Sequence, residues 1–534
     1  MNAKKRKNSE EELDAINNLP EHVLCHILSF LSTKDAALTS VLSKRWRDLF
    51  TLIPSLDFDD STFMPCVSPE ECPRTTFREF VNRVLALQSN SPITKFSLIC
   101  HNGVDQDLAE TWILKALRRG ATDLTLVVLF PSRIYSLPSS IFFYCHNLIK
   151  LKLGCGRLGI IHHSLFWGDI IFTNLRTLHL DSIDLGQRDR SFARLLSKCP
   201  MLEELIVNCI KWHRWRSASV CSLTLKRLTI DGEHYLPPMD SHIFKFRREK
   251  MASGKFYSNK PLAVDSDFGT ASPSNVSFDT PNLLYLNYSD FVAGNYPLVK
   301  LDSLVEARLD VGSNTSQMHA RDSEEYEVPW DATNLIMGIH NVQTLHLTSA
   351  TIEVLFLSSF LFYGYLLLTS LLMIQQVLLM CFQVIEDFCK TVPVFHNLNH
   401  LSIESDDERG WQALPLLLIN CPNLQTLVFH GLHHRVTDGC GDACDCISPP
   451  SPPSSSCLSS CPVKILKILD FGATCGEMSL VEHFLKKLPR LEQVIIVLHC
   501  DSFIEEDCGP SEVSEALEMA PRASPNCKLT VVNH

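Results

Sequence analysis

Three clusters in this 534-residue chain combine residue types that chemistry requires. Gly154-x-Gly156-x-x-Gly159 follows a strand-like segment, and Asp181 ends the next one. That is the outline of a dinucleotide site, in which glycines admit a pyrophosphate to the backbone and a later carboxylate takes a ribose hydroxyl. The stretch between them opposes it: residues 160–173 hold His162-His163 and Trp167-Gly168-Asp169 with no helical apolar face, and both strands belong to a repeated phrase. In the second cluster, Cys440, Cys444, Cys446, Cys457 and Cys461, with His433 and His434 upstream, offer donors of the kind that close a zinc tetrahedron. Their spacing is irregular and lacks a Cys-x-x-Cys pair. The run Ser448-Pro449-Pro450-Ser451-Pro452-Pro453-Ser454-Ser455-Ser456 between them favours an extended linker. The third cluster, Lys211-Trp212-His213-Arg214-Trp215-Arg216, interleaves base and aromatic, a composition that stacks on bases or grips an acidic peptide. Because it follows a repeat strand, Trp212, Arg214 and Trp215 are candidate contacts for a protein target in preference to nucleic acid. The competing view is a loop whose basic heads snorkel out from the core. No Ser-His-Asp, Cys-His or paired-carboxylate spacing stands out, so no catalytic residue, metal or cofactor is expected.

Composition narrows the classes further. At 45% hydrophobic and 20% charged, the chain has apolar matter enough for two or three folded domains. A net charge of -12 argues against general affinity for nucleic acid or an anionic membrane, both of which favour basic surfaces. Met1 to Glu12 passes from Lys4-Lys5-Arg6-Lys7 into Glu10-Glu11-Glu12 with no apolar stretch for secretion. The chain is therefore expected in the nucleus and/or cytoplasm, the basic tetrad being either an import signal or part of a solvated tail over 1–13. In such a reducing compartment the 21 cysteines are expected as buried apolar residues and loop thiols, not as disulfides.

The strongest local pattern lies near the N-terminus. Pro20 suits the first turn of a helix, where its missing N–H costs nothing, and Glu21 suits the positive helix end. Val23, Leu24, Ile27, Leu28 and Leu31 follow at helical spacing, and Ser32 with Asp35 predicts a second helix start, leading into Ala36, Ala37, Leu38, Val41 and Leu42. A third short helix is predicted from Ser43 to Phe50. So small a unit carries more large apolar side chains than it can bury, so part of its surface should dock on another protein. Leu19-Pro20-Glu21, Ile27-Leu28, Phe30-Leu31, Asp35, Val41-Leu42-Ser43 and Arg45-Trp46-Arg47-Asp48-Leu49 together resemble an F-box. That resemblance implies binding to the Skp-type adaptor of cullin-based ubiquitin ligases. It also implies that Leu19, Pro20, Ile27, Leu28, Leu31, Val41, Leu42 and Trp46 supply the adaptor-facing or supporting surface.

From about residue 95 the chain returns to Asn-Leu-x-x-Leu-x-Leu, whose last part alternates like a strand. Copies begin at Asn147-Leu148, Asn174-Leu175 and Met201-Leu202, a spacing of 27, and recur at Asn282-Leu283, Asn341-Val342, Asn397-Leu398 and Asn423-Leu424. Leu196-x-x-x-Pro200, Leu418-x-x-x-Pro422 and Leu485-x-x-x-Pro489 each precede such a strand, carrying the unit into the C-terminal region. Stacked units of this kind form a leucine-rich-repeat solenoid, since none buries its apolar face alone. From Cys461-Pro462-Val463-Lys464 through Phe471-Gly472, Val481-Glu482-His483-Phe484-Leu485 and Leu488-Pro489-Arg490-Leu491-Glu492 to Pro521-Arg522-Ala523-Ser524, the chain resembles the FBD domain of plant F-box/leucine-rich-repeat proteins.

The expected class is α/β: a three-helix F-box over 14–60, a leucine-rich-repeat solenoid over 75–430, a Cys/Pro/Ser linker over 431–461 and a repeat-like FBD cap over 462–534. The docking module and the array are expected to have separate cores. Two insertions interrupt the array, a polar one over 232–277 and an apolar one, Val354 to Gln383. The latter's 30 uncharged residues satisfy the length rule for a membrane span, but removing them restores one normal repeat spacing of 26. A retained intron is the favoured explanation. By resemblance the chain is a non-catalytic substrate-recognition subunit of an SCF-type ubiquitin ligase, holding a Skp-type adaptor, through it a cullin, and an unknown target protein. The alternative is a leucine-rich-repeat scaffold without a ligase role, either anchored in a membrane by the apolar run or purely scaffolding.

Overall fold

The computed structural model describes residues 16, 19–63, 74–88, 91–101, 104–128, 134–135, 144–154, 160–162, 171–184, 191–210, 217–232, 274–313, 330–355, 392–406, 411–433, 457–499 and 510–533. Two compact units divide the chain, one made of 1–186 with 194–211, the other of 187–193 with 212–534.

The first unit begins with three short helices, α1 (Glu21–Leu28), α2 (Thr33–Leu38) and α3 (Lys44–Phe50). Parallel strands follow in sequence order: β1 (Ser55–Asp59), β2 (Lys95–Cys100), β3 (Asp123–Val128), β4 (Lys150–Gly154), β5 (Thr177–Asp181) and β6 (Glu204–Ile210). Helices α4 (Arg74–Leu87) and α5 (Gln106–Arg118) connect the first three strands and meet where the Trp112 indole N–H donates to Asn82 Oδ1 at 2.8 Å. Strand alternation sends every second side chain inward. Leu56, Phe96, Leu124, Leu151, Leu178 and Leu205 therefore stand in one register row, and Phe58, Leu98, Leu126, Leu153, Leu180 and Val207 in the next. All twelve are at most 2% exposed. Each such burial is worth about 1.5–3 kcal/mol, and no single strand could achieve it without its neighbours.

The second unit repeats the plan with β7 (Arg227–Gly232), β8 (Tyr285–Phe291), β9 (Glu306–Gly312), β10 (Thr344–Leu347), β11 (His400–Glu404), β12 (Thr426–His430), β13 (Ile465–Phe471), β14 (Gln493–Leu498) and β15 (Lys528–Asn533), all paired in parallel. Helices α6 (Thr333–Gly338), α7 (Leu414–Ile419), α8 (Cys475–Lys487) and α9 (Pro510–Glu518) precede β10, β12, β14 and β15. Thr474 and Glu477 form a reciprocal capping box at the start of α8.

The recurrent asparagine has a structural reason in both units. Asn174 Nδ2 donates to the His146 carbonyl at 2.9 Å, Asn282 to Leu223 at 2.8 Å and Asn423 to His396 at 2.8 Å. The side chain thus satisfies a backbone acceptor one repeat earlier, a role its partner Leu cannot take.

Two expectations need correction. The parallel sheet starts at β1, inside the 14–60 stretch, not near residue 75. The docking module and the first repeats also lie in one compact unit, not on separate cores. Val354, where the apolar insertion is expected to begin, is 2% exposed in a helical turn in which Thr351 Oγ1 donates to the Leu309 carbonyl at 3.0 Å and accepts from Val311 N–H at 2.7 Å. The rest of that run, and most of the polar insertion, lie outside the described residues. No helix among the described residues is long and apolar enough to cross a membrane.

Candidate functional site: the apolar face of the N-terminal helices

Two of the three short helices are capped at their starts by a serine, and the first starts at a proline. Pro20 occupies the N-cap of α1, the Ser32 hydroxyl accepts from Asp35 N–H at the start of α2, and the Ser43 hydroxyl accepts from Trp46 N–H at the start of α3. Arg45 Nη2 donates to the Leu19 carbonyl at 2.7 Å, tying α3 back to the entry of α1. Inward, Leu24, Leu28, Ala36, Trp46, Leu49 and Phe50 are all at most 8% exposed.

The same inward side is stitched to the repeats. Thr33 Oγ1 accepts from Asp57 N–H of β1 at 2.6 Å, so α2 satisfies a donor on the otherwise unpaired edge of the first strand. Gln88, 1% exposed, donates from Nε2 to the Phe50 carbonyl at 2.8 Å, and the Ser91 hydroxyl donates to the Thr51 carbonyl at 2.7 Å. The carbonyls that end α3 are thereby bonded from the α4 side. The physical cause of the shared core is this: three helices of at most eight residues bury too little by themselves, so their inner face completes the end of the repeat stack.

The outer face is left apolar. Val41 is 82% exposed, Phe30 76%, Leu42 66%, Leu38 59%, Leu31 43% and Ile27 41%. His26 packs edge-on against Phe30 with ring centroids 4.8 Å apart, holding the phenyl ring outward. Among the residues singled out from sequence, Pro20, Ile27, Leu31, Val41 and Leu42 are exposed and Leu19 half-buried, whereas Leu28 and Trp46 are buried and can only support the face. Phe30 and Leu38 belong to the face but were absent from that set. The signal for Phe30 is its place beyond Leu28, outside the helix; Leu38 stands in the apolar run Ala36, Ala37, Leu38, Val41 and Leu42 of the second helix, which by itself assigns it no side.

The outward side of the second unit's strands is also accessible. Asp310 accepts from the Ser289 hydroxyl at 3.1 Å and the Thr348 hydroxyl at 2.9 Å, and one Glu306 oxygen lies 2.9 Å from Arg308 Nε and 3.8 Å from His346 Nε2. Burial, then the neighbouring Arg308 and His400, push His346 down to about 4, so the ring is neutral at pH 7. Glu404 is raised by burial and by the carboxylates of Asp310, Asp406 and Asp470. Trp212, Arg214 and Trp215 lie outside the described residues. Gly154 and Asp181 are register partners on neighbouring strands, and among the described residues between them Ile160–His162 form a strand where a dinucleotide site needs a helix. Cys457 and Cys461 are buried, and no group of three or more His, Cys, Asp and Glu side chains among the described residues is arranged to hold a metal ion.

Comparison with known proteins matches residues 16–57 to the F-box domain and residues 109–236 to the leucine-rich repeats of the "FBD-associated F-box protein At5g56370" family. The chain is 41% identical to the Arabidopsis thaliana F-box/LRR-repeat protein At3g59210 over 533 residues, covering 97% of this chain and 94% of the relative. It is 39% identical to the Arabidopsis thaliana F-box/LRR-repeat protein At4g14096, covering 97% and 95%. It is also 39% identical to the Arabidopsis thaliana putative F-box/FBD/LRR-repeat protein At3g59240, covering 92% and 85%.

Proposed function

The chain belongs to the plant F-box/FBD/leucine-rich-repeat family, and from that premise we propose that it is the substrate-recognition subunit of an SCF-type (Skp–cullin–F-box) ubiquitin ligase. The observation that supports this most is the outward apolar face of α1 to α3, with Val41 82% and Phe30 76% exposed. Isolated apolar residues on a surface need no explanation, but six within the stretch from Ile27 to Leu42 do. A Skp-type adaptor covers that face, with Ile27, Leu31, Val41 and Leu42 in contact and Leu28 and Trp46 supporting from beneath. The repeats hold a target protein, and the chain performs no bond chemistry itself. Because the inner face of α1 to α3 is bonded to β1 and α4, adaptor and first repeats keep a fixed spacing, which raises the effective concentration of a bound target near the ligase's catalytic partner. The nucleus and/or cytoplasm is where such a complex works. Affinity purification of the intact chain tests it: a Skp-type adaptor and a cullin should co-purify and be lost together on Val41→Asp. Recovery of neither with the parent chain would refute the role.

A further inference from the structure

Strands β13 and β14 are apolar on both faces. Val494 to Leu498 is an unbroken apolar run, and the run from Ile465 to Leu469 is broken only by Lys467. The core explains the inward half: Leu466, Ile468, Val494 and Ile496 are all 0% exposed. The outward half has no such reason. Val428 pairs with Lys467, Lys467 with Ile495 and Ile495 with Thr530, while Val497 pairs with Val532. These residues alternate with the buried ones, so together with Ile465 and Leu469 they share the opposite side of the sheet. Ile465, Leu469, Ile495 and Val497 are half-buried and Val532 is 40% exposed. In the same two register rows β9 and β10 carry Glu306, Arg308, Thr344 and His346, so the apolar character belongs to the C-terminal strands. Parallel strands that read as continuous apolar runs are covered on both faces, and this outward face is accessible.

Lys467 stands in the middle of the face, flanked by Val428 and Ile495 on the neighbouring strands and by Ile465 and Leu469 on its own. It is half-buried, and among the described residues its ammonium makes no hydrogen bond or ion pair. Its charge reaches His400, two strands away, whose ring is lowered below its ordinary pKa by burial first and then by Lys467. A lone cation framed by four aliphatic side chains suits a segment that brings one carboxylate among apolar groups. A polyanion fits poorly: one cation is too few, and the carboxylates of Glu404 and Asp470 at the neighbouring strand ends repel it. A second copy fits no better, because a two-fold contact sets the same patch against itself and brings two Lys467 ammonium groups together in an apolar setting.

We propose that the outward face of β12 to β15, built from Ile465, Lys467, Leu469, Ile495, Val497 and Val532, is the docking site for a segment of the target protein in which one Asp or Glu stands among aliphatic or aromatic side chains. This names the chemistry of the target and rests on the adaptor role. The carboxylate meets Lys467, and the apolar side chains cover Ile495, Val497 and Val532. At about 4.8 Å per strand the face is about 14 Å wide, the length of about four extended residues, so a short peptide spans it.

The test is selection of a random phage-displayed library of peptides about 12 residues long on the purified intact chain, alone and bound to its adaptor. Enriched peptides should carry an Asp or Glu among Leu, Ile, Val or Phe. A fluorescein-labelled copy of the most enriched peptide should bind Val532→Asp, a change at an exposed side chain, about tenfold more weakly or worse. Changing the peptide's Asp or Glu to Asn or Gln should weaken binding to the parent about tenfold and leave binding to Lys467→Met unchanged, a difference that misfolding cannot imitate. No enrichment, enriched peptides without a carboxylate, equal losses on parent and Lys467→Met, or unchanged binding to Val532→Asp would each overturn the proposal. A parent dimer in analytical ultracentrifugation that Val532→Asp dissociates would overturn it too, by assigning the face to a second copy. So would peptides enriched only on Phe503→Ser/Ile504→Ser, by assigning it to the chain's own Phe503-Ile504-Glu505. Adaptor co-purification, measured on the same proteins, separates the two ideas. Peptide binding with no adaptor in the parent preparation refutes the ligase role but not the docking face, whereas adaptor binding with no selected peptide refutes this site.

Discussion

Burial separates two residues that look alike in the N-terminal sequence, and that separation is testable. Leu28 is 0% exposed and Val41 82% exposed, although both are aliphatic and both lie within the F-box match. Leu28→Ala removes buried methyl groups and leaves a cavity, a loss of about 3 kcal/mol within the usual range for such truncations. If the first unit is worth about 5 kcal/mol, the variant retains about 2 kcal/mol and is still some 97% folded at 25 °C. Its melting temperature should fall by several degrees, while adaptor affinity measured below the transition stays close to that of the parent. Val41→Asp should do the opposite. An exposed change moves stability by no more than about 0.5 kcal/mol, but a carboxylate at the centre of an apolar interface costs on the order of 2–4 kcal/mol, about 30- to 1000-fold in Kd. Thermal unfolding and adaptor titration by calorimetry, on the intact chain, read both quantities. The reasoning fails if Leu28→Ala loses the adaptor with an unchanged melting temperature, or if Val41→Asp binds as tightly as the parent.

Three more outcomes follow from the packing and charges. Deleting Val354 to Gln383 should leave melting unchanged to within about 0.5 kcal/mol, because Val384 then takes the place of the 2%-exposed Val354 after Glu353; a dominant transcript encoding the run, with a product that fractionates with membranes, would refute the retained intron. Truncation after Ser460 removes β13 and α8, uncovers the edge of β12 and takes away Phe484, which stacks on Phe429 with ring centroids 5.4 Å apart; light scattering should show aggregation, and a soluble monomer would show that the C-terminal segment is an independent domain. Glu404 has a folded-state pKa raised above its unfolded value, so the group is neutral in both states below the ordinary carboxylate range and penalises the native state as pH rises through the folded pKa. Glu404→Gln should therefore raise the melting temperature near pH 7.5 and leave it unchanged near about pH 4; an equal shift at both would refute the electrostatic cause.

Much of this protein is legible in its residues because the repeat is a local device. Asn-Leu-x-x-Leu-x-Leu names in one short phrase the buried leucines, the strand alternation and the asparagine that bonds one unit back, so β4 to β6, β8, β10 to β12 and, through the Leu-x-x-x-Pro echo, β14 could be placed without coordinates. The caps Ser32 and Ser43 and the helix-starting Pro20 are equally local. What tertiary structure alone decided is which side of each short helix faces out. A periodicity of 3.6 residues phases a long helix, but α1 has 8 residues and α2 only 6, and a 3-10 turn over Thr39–Val41 resets the register before Val41 and Leu42. Hence Leu28 and Trp46 are buried, and Phe30 and Leu38 are exposed. The union of the helices with β1 was likewise hidden, because it rests on backbone groups of Phe50, Thr51 and Asp57, which every residue type possesses. Arg227, Tyr285 and Arg308 are far apart along the chain, and only the register of three parallel strands puts two guanidiniums on one ring. Local chemistry is written in sequence spacing, whereas a surface assembled across strands exists only once the backbone hydrogen bonds that set their register have formed.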